Sequence, residues 1–359
     1  MSGSIGERIK QARHIRGMSQ RELAKNAGVS AQAISKYERN KNVPSSGVLL
    51  RLSKALDLNV EFFVRPKRVP QIIPDYRKRR ALPRKVEAGI VAEIEDWLER
   101  YLEIESILNP YEDVFKFKYP EGFPRKVGSM ENIEKAAEDL RRAWDLGSSP
   151  IESLTNLLED RGIKVGVIDA DERFDACTFN AEDDVEIPIV ITRCNLPGDR
   201  QRFSIAHELG HLMLEPQNDL DGEKAAQRFA GAFLVPQNKA YSELGNERRN
   251  LGDFELLTLK HKYGLSMQAW IYRAKDLGII SELKAADLFK KFRALGRHKI
   301  EPGRSYPSEY PTRFEFLVHL ALAEEIISKK RAEELLGKPL QQILSEPTGK
   351  TGRLGHCYV

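Results

Sequence analysis

The chain has 359 residues, 41% apolar and 31% charged, with three cysteines and a formal net charge of +4. These values fit a folded protein of two or three domains, and so few scattered cysteines exclude a disulfide framework or a paired-cysteine metal knuckle. No apolar run approaches the ~20 residues of a membrane span, and residues 1–20 lack the apolar centre of a secretion signal; a reducing, cytoplasmic compartment and no membrane partner are expected. The charge is unevenly spread: residues 1–85 hold +14, which leaves −10 on the rest. A basic N-terminal unit on an acidic body points to a polyanionic partner for the first part only.

Residues 1–65 read as a first domain of short helices. Ser19 is a helix N-cap, and Glu22 completes a capping box. Leu23, Ala24 and Ala27 give that helix a buried face, and Gly28 supplies a left-handed turn. Ser30 caps the next helix, whose Ile34 and Tyr37 point inward. Ala31, Gln32, Ser35 and Lys36 then lie outward at its start, beside Ser30. Small, amide, hydroxyl and basic side chains suit base edges in the major groove of double-stranded DNA. Gln20 and Arg21, at the start of the preceding helix, suit phosphates. The rival reading is a helical bundle whose charges only solvate it.

Residues 5–63 resemble the Xre/Cro/λ-repressor family of helix-turn-helix domains. The likeness rests on Leu23-Ala24, Gly28-Val29-Ser30, Ile34-Ser35 and Glu38, then Val43-Pro44 and a closing helix at 46–56. It implies a DNA-binding unit, often dimeric on palindromic sites.

Residues 66–128 form a second segment. Residues 66–85, with eight Lys or Arg to one Asp, read as an extended linker whose stretch 77–85 can add phosphate contacts or simply stay solvated. Residues 86–108 carry Ile90, Ile94, Trp97, Leu98, Tyr101, Ile104 and Leu108 at helical spacing. This long amphipathic helix offers its stripe for packing or for a homodimer contact. Residues 109–128 read as a connecting loop.

The second body is read as 129–240, a helical extension as 241–300, and a helical C-terminal region with a loose tail as 301–359. Helices are expected at 131–146 and 150–161, strands at Gly162–Ile168, Ala176–Asn180 and Ile187–Thr192, and helices at 200–214 and 222–234, the last ended by Pro236. Further helices are expected at 252–262, 266–277, 282–294, 313–325 and 329–343. Cys177 and Cys194 read as small core residues.

Residues 203–214, FSIAHELGHLML, are apolar or small apart from Ser204, His207, Glu208 and His211. A helix apolar all round is buried, and buried ionisable groups need partners or a metal. His207 and His211 are one turn apart, so both can ligate one cation. Glu208 is placed to take a proton from metal-activated water rather than to ligate. Gly210 admits a close neighbour, a strand or a substrate backbone. Zinc suits two imidazoles with a third ligand and a water; Mn2+ and Fe2+ fit the same set. The third ligand must come from elsewhere. Glu223, aligned with Ala226, Gln227 and Ala230, reaches the site if two helices pack closely, but it is equally an ordinary first-turn acid. Glu215, Asp219 and Asp221 compete with it.

RQRFSIAHELGHLML followed by EKAAQRFAGAFLVP is similar to the ImmA/IrrE family of metallopeptidases over roughly residues 130–280. The family's second helix carries Asn, Leu and Met where this chain has Gln227, Phe233 and Val235. The resemblance implies Glu223 as the third ligand and an Xre-type companion domain. The fold it implies is multidomain: an all-α helix-turn-helix domain plus an α+β zincin-like metallopeptidase domain, with a small sheet and a helical C-terminal region. It further implies a regulatory protease that cleaves a helix-turn-helix repressor. An oxyanion-steadying group is not picked out; His261, Tyr241, Tyr263 and Tyr272 are candidates, each as readily a packing residue. His298, His319 and His356 have no ligand-spaced partner. The alternative is a transcriptional regulator or antitoxin whose metal-bearing body senses or scaffolds without hydrolysis.

Overall fold

The computed structural model describes residues 4–65, 72–74, 83–108, 116–170, 174–182 and 186–340. The N-terminal unit comprises α1 (Ile5–Ile15), α2 (Gln20–Ala27), α3 (Ala31–Glu38), α4 (Ser46–Leu56) and α5 (Glu61–Val64). Ser4, Ser19 and Ser30 each accept a hydrogen bond from an amide three residues on, which satisfies a helix-start donor. Gly28 closes α2 at φ 63°, the left-handed turn expected there. Ile9, Leu23, Ala27, Ile34, Leu52, Leu56 and Phe63 form the core of this unit.

β1 (Ile72–Pro74) lies in the connector, and α6 (Arg84–Leu108) follows. Its apolar stripe is buried as the spacing predicts, against Phe179, Ile189, Ile191, Leu317 and Leu335 of the same chain. The stripe therefore needs no second copy to cover it. The N-terminal unit sits on the other side of α6. Arg8 pairs with Glu99 at 2.7 Å, Gln11 Nε2 donates to the Ala92 carbonyl at 3.3 Å, and Gly89 leaves room where a Cβ would stand 3.0 Å from the His14 carbonyl.

The second body runs β2 (Arg125–Val127), α7 (Met130–Ala143), α8 (Leu154–Asp160), β3 (Lys164–Ile168), β4 (Ala176–Glu182), β5 (Glu186–Arg193), α9 (Gly198–Met213), β6 (Leu214–Pro216) and α10 (Gly222–Leu234). It continues through α11 (Gln237–Leu244), α12 (Asp253–Tyr263), α13 (Met267–Asp276), α14 (Glu282–Ala294), α15 (Arg313–Ala323) and α16 (Lys329–Leu336). The larger sheet has the order β1-β4-β5-β3, with β3 parallel to β5 and the other pairs antiparallel. β2 and β6 make a separate parallel pair. The alternation of strand side chains splits the larger sheet between two layers: Val165 and Val190 join the core with α7, α9, α10 and α13, while Ile168, Ile189 and Ile191 face the layer of α6, α15 and α16. The fold is thus an all-helical unit joined to a mostly helical body with small sheets.

Several boundaries differ from the sequence reading. The helix expected from 150 begins at Leu154, because Ser153 caps it by accepting from the Asn156 amide. The helix expected to 343 is described as far as Leu336, where Gly337 turns left-handed at φ 70°. The expected loop at 109–128 contains β2, and α11 was not anticipated. It starts straight after Pro236, the residue that ends α10 and then serves as the N-cap of α11. Most of the basic stretch 77–85 and the tail 346–359 lie outside the described residues. Among the described residues no helix is long and apolar enough to cross a membrane.

Candidate metal centre and nucleic-acid interface

α9 is fixed first at its start, where buried charges are paired. Asp199 meets Lys260 at 3.0 Å, and Lys260 also meets Glu301 at 2.9 Å. Arg202 forms an ion pair with Glu309, and Gly198 lies where a Cβ would collide with the Pro307 carbonyl. Further along, Gly210 meets α10: an added Cβ would stand 3.1 Å from Ala226 Cα and 3.1 Å from Phe229 Cδ1. The close neighbour expected at Gly210 is therefore a helix, not a strand or a substrate. Ala226 and Ala230 are buried in the same contact, and this close packing brings the first turn of α10 to the histidines.

There the structure brings together the three residues expected to ligate. His207 Nε2 and His211 Nε2 are 3.1 Å apart, with ring planes at 85°. The Glu223 carboxylate stands 3.4 Å from each of these nitrogens, one oxygen toward each ring. Ligands held 2.0–2.1 Å from a tetrahedral ion are separated by about 3.3 Å, so the donor set and its spacing fit such an ion. Among the described residues this is the group of His, Cys, Asp and Glu side chains close enough to hold a metal. The three side chains are 13%, 19% and 31% exposed, which leaves the cluster open on one side. The rivals are placed otherwise. Glu215 and Asp219 are exposed, and Asp221 caps α10 by accepting from the Glu223 amide at 3.0 Å.

Glu208, between the two histidines in sequence, is buried. Its Oε2 accepts from the backbone amide and from the hydroxyl of Thr178 on β4, both at 2.9 Å. Two donors on one oxygen fix the carboxylate's orientation. Sequence reasoning missed Thr178, since a threonine within an apolar strand carries no signal of what lies beneath it. The tyrosine candidates for oxyanion support have other partners: Tyr241 donates to the Leu277 carbonyl at 2.9 Å and Tyr263 to Glu243 at 2.8 Å. Tyr272 packs on Phe289 with ring centroids 4.4 Å apart, and His261 is exposed near Tyr306. His298 is exposed, and His319 is partly so. Cys177 and Cys194 are buried, as expected.

In the N-terminal unit, Arg21, Ser30, Gln32 and Lys36 are exposed, while Ala31 and Ser35 are partly so. They share the surface formed by the starts of α2 and α3. Two have partners already: the Ser30 hydroxyl caps α3, and the Ser35 hydroxyl accepts from Arg39 at 2.6 Å. Gln20 is engaged too, its amide donating to Glu38 at 2.7 Å. Glu38 in turn binds Arg13 through both oxygens, at 2.5 and 3.0 Å. This buried bridge ties α1, α2 and α3 into one rigid platform.

Comparison with known proteins agrees with both halves. Residues 9–63 match the family model described as "Helix-turn-helix", and residues 159–275 match the one described as "IrrE N-terminal-like domain". An uncharacterized transcriptional regulator in the ATPase CF(0) region of Rhodospirillum rubrum is 39% identical over 59 residues, which is 16% of this chain and 55% of that protein. The HTH-type transcriptional regulator ImmR of Bacillus subtilis is 31% identical over 61 residues, 17% of this chain and 48% of that protein. The chain thus spans about half the length of such curated relatives. A superposition on the apo form of ComR from S. thermophilus covers 93% of this chain and 90% of that one, but with a TM-score of 0.16 at 15% identity it carries no weight. The chain joins an Xre-type helix-turn-helix domain to an ImmA/IrrE-like domain.

Proposed function

We propose that the chain is a DNA-binding regulator whose second body is a zinc-dependent metallo-endopeptidase, with helix-turn-helix repressors as the class of protein it cleaves. The observation that carries this reading is the convergence of His207, His211 and Glu223 at ligand spacing, beside a fourth group, Glu208, that strand β4 holds in place. A zinc ion bound there would supply Lewis acidity and a nucleophilic water at neutral pH. The chain's own residues do the rest. His207 and His211 present their Nε2 atoms from successive turns of α9, and Glu223 supplies the one negative charge. Glu208 is the proton carrier: its carboxylate accepts a proton during attack and hands it to the departing amine. Thr178 keeps that carboxylate turned to the correct side.

A body that only sensed a metal has no use for a carboxylate positioned next to the ligands but not among them, which supports hydrolysis over a pure sensor. The N-terminal platform supports binding to double-stranded DNA through Arg21, Gln32 and Lys36. The test incubates the full chain with candidate helix-turn-helix repressors, with and without chelator, followed by peptide mapping. Chelator-sensitive cleavage by the parent and none by Glu208→Gln is the expected result. Regulation that persists unchanged in Glu208→Gln, with no cleavage by either form, would favour the sensor reading.

A further inference from the structure

We infer that β1, the connector strand between the two bodies, occupies the outer edge of β4 that leads to Glu208, where an extended polypeptide can pair, and so acts as an internal competitor for that edge. The inference rests on the metallopeptidase reading only for the identity of the displacing chain. Its basis is strand register. β1 runs antiparallel along the outer edge of β4, with Ile72 opposite Ala181, Ile73 opposite Asn180 and Pro74 opposite Phe179. The next residue of β4 is Thr178, whose amide points out of the sheet to Glu208. The connector strand is therefore directed along β4 toward the carboxylate.

Two observations fix which atoms make this ladder. In an antiparallel strand, alternate residues send their amide and carbonyl to the same side. Thr178 sends its amide away from β5, so Asn180 does too, toward Ile73. Independently, Asn180 lies opposite Pro188 on β5, and a proline inside a sheet is tolerated only where its missing amide is not needed. Asn180 therefore bonds to β1, and Ile73 is the connector residue whose amide the ladder uses. Pro74 falls at the alternate position, where it lacks nothing. Main-chain pairing at a sheet edge is a general way to hold an extended peptide, and one residue beyond this ladder the same edge carries Thr178, which donates to the candidate proton carrier. A polypeptide that binds there must first displace residues 72–74, which belong to the connector that leads to the DNA-binding unit.

The test uses the full chain as parent, Ile73→Pro and Ile73→Ala. Proline deletes the one amide the ladder needs; alanine keeps it. Hydrogen–deuterium exchange over residues 176–182 is expected to speed up about tenfold in Ile73→Pro, roughly the factor one net backbone hydrogen bond is worth, and to match the parent in Ile73→Ala. A fluorescein-labelled peptide, VPQIIPDYR (residues 69–77), is expected to bind Ile73→Pro about tenfold more tightly than the parent on the same grounds. Unchanged exchange in Ile73→Pro, or equal peptide binding to parent and variant, overturns the inference. Zinc-dependent hydrolysis of casein, measured on the same samples, is expected to rise in Ile73→Pro. Expected exchange and binding, with no chelator-sensitive cleavage of casein or of candidate helix-turn-helix repressors by any form, would uphold the occupied edge and refute the peptidase reading.

Discussion

α3 presents Gln32 and Lys36 to solvent, whereas α9 turns Glu208 inward onto a strand and stabilises its own start with buried ion pairs. The first surface has its partner outside the molecule. The second is built against neighbouring elements, and only one side of it, where His207, His211 and Glu223 meet, is open. A recognition helix therefore depends on its platform, here the Arg13–Glu38–Gln20 bridge. A metal-binding helix depends on every element that touches it. Mutations in the two regions should fail differently: around α9 through geometry, around α3 through lost contacts with a ligand.

The largest expected effect is at Glu208. Glu208→Gln should lower the rate of chelator-sensitive cleavage by about 10²–10⁴-fold, the usual worth of a positioned acid–base group, while metal content measured by mass spectrometry stays at the parent value. Next comes the seam between the two bodies. Arg8 is fully buried against Glu99, and removing one member of a buried pair typically costs about 3–5 kcal/mol. Arg65 still reaches Glu99 at 3.0 Å, so Arg8→Ala should lose about 3 kcal/mol in urea unfolding, the lower end of that range.

Glu159 gives a pH-dependent counterpart. Burial raises its pKa from 4.5 to about 7, against the opposing pull of the Arg313 and Thr312 amides. Between those values the folded chain keeps a proton that the unfolded chain has released, so this group lowers stability as pH rises through the window. Glu159→Gln should remove that slope, gaining up to roughly 3 kcal/mol relative to the parent between pH 4.5 and 7 and changing no further above it. Thermal unfolding across that range measures it. The smallest effects belong to α3. Gln32→Ala should lose about 1–3 kcal/mol of discrimination at one base pair. At the start of the neighbouring α2, Arg21→Ala should weaken all sequences alike and reduce the salt slope by about 0.9. Equal losses on every sequence for Gln32→Ala would place that residue on the backbone instead.

What the sequence made legible follows from locality. Ser19 with Glu22, Gly28, and the i, i+4 histidines are patterns within one turn, and each appears as read. Glu223 was open on spacing alone, because its role depends on how closely α9 and α10 approach; Gly210 against Ala226 settles that approach. Thr178 and the β1–β4 pairing were not legible, since each joins residues far apart in the chain. Lys164 was hidden for the same reason. It lies in a β-branched strand and is buried, and Glu105 on α6 pairs with it at 2.5 Å. The three-residue strands β2 and β6 are too short to show any alternation.

Zinc binding by equilibrium dialysis tests the central claim most directly. The account predicts about one ion per chain in the parent and in Glu208→Gln, a tetrahedral site needing its three protein donors. His207→Ala and His211→Ala should bind almost none, and Glu223→Ala should bind far more weakly. Full zinc occupancy in His211→Ala, or none in the parent, would contradict it.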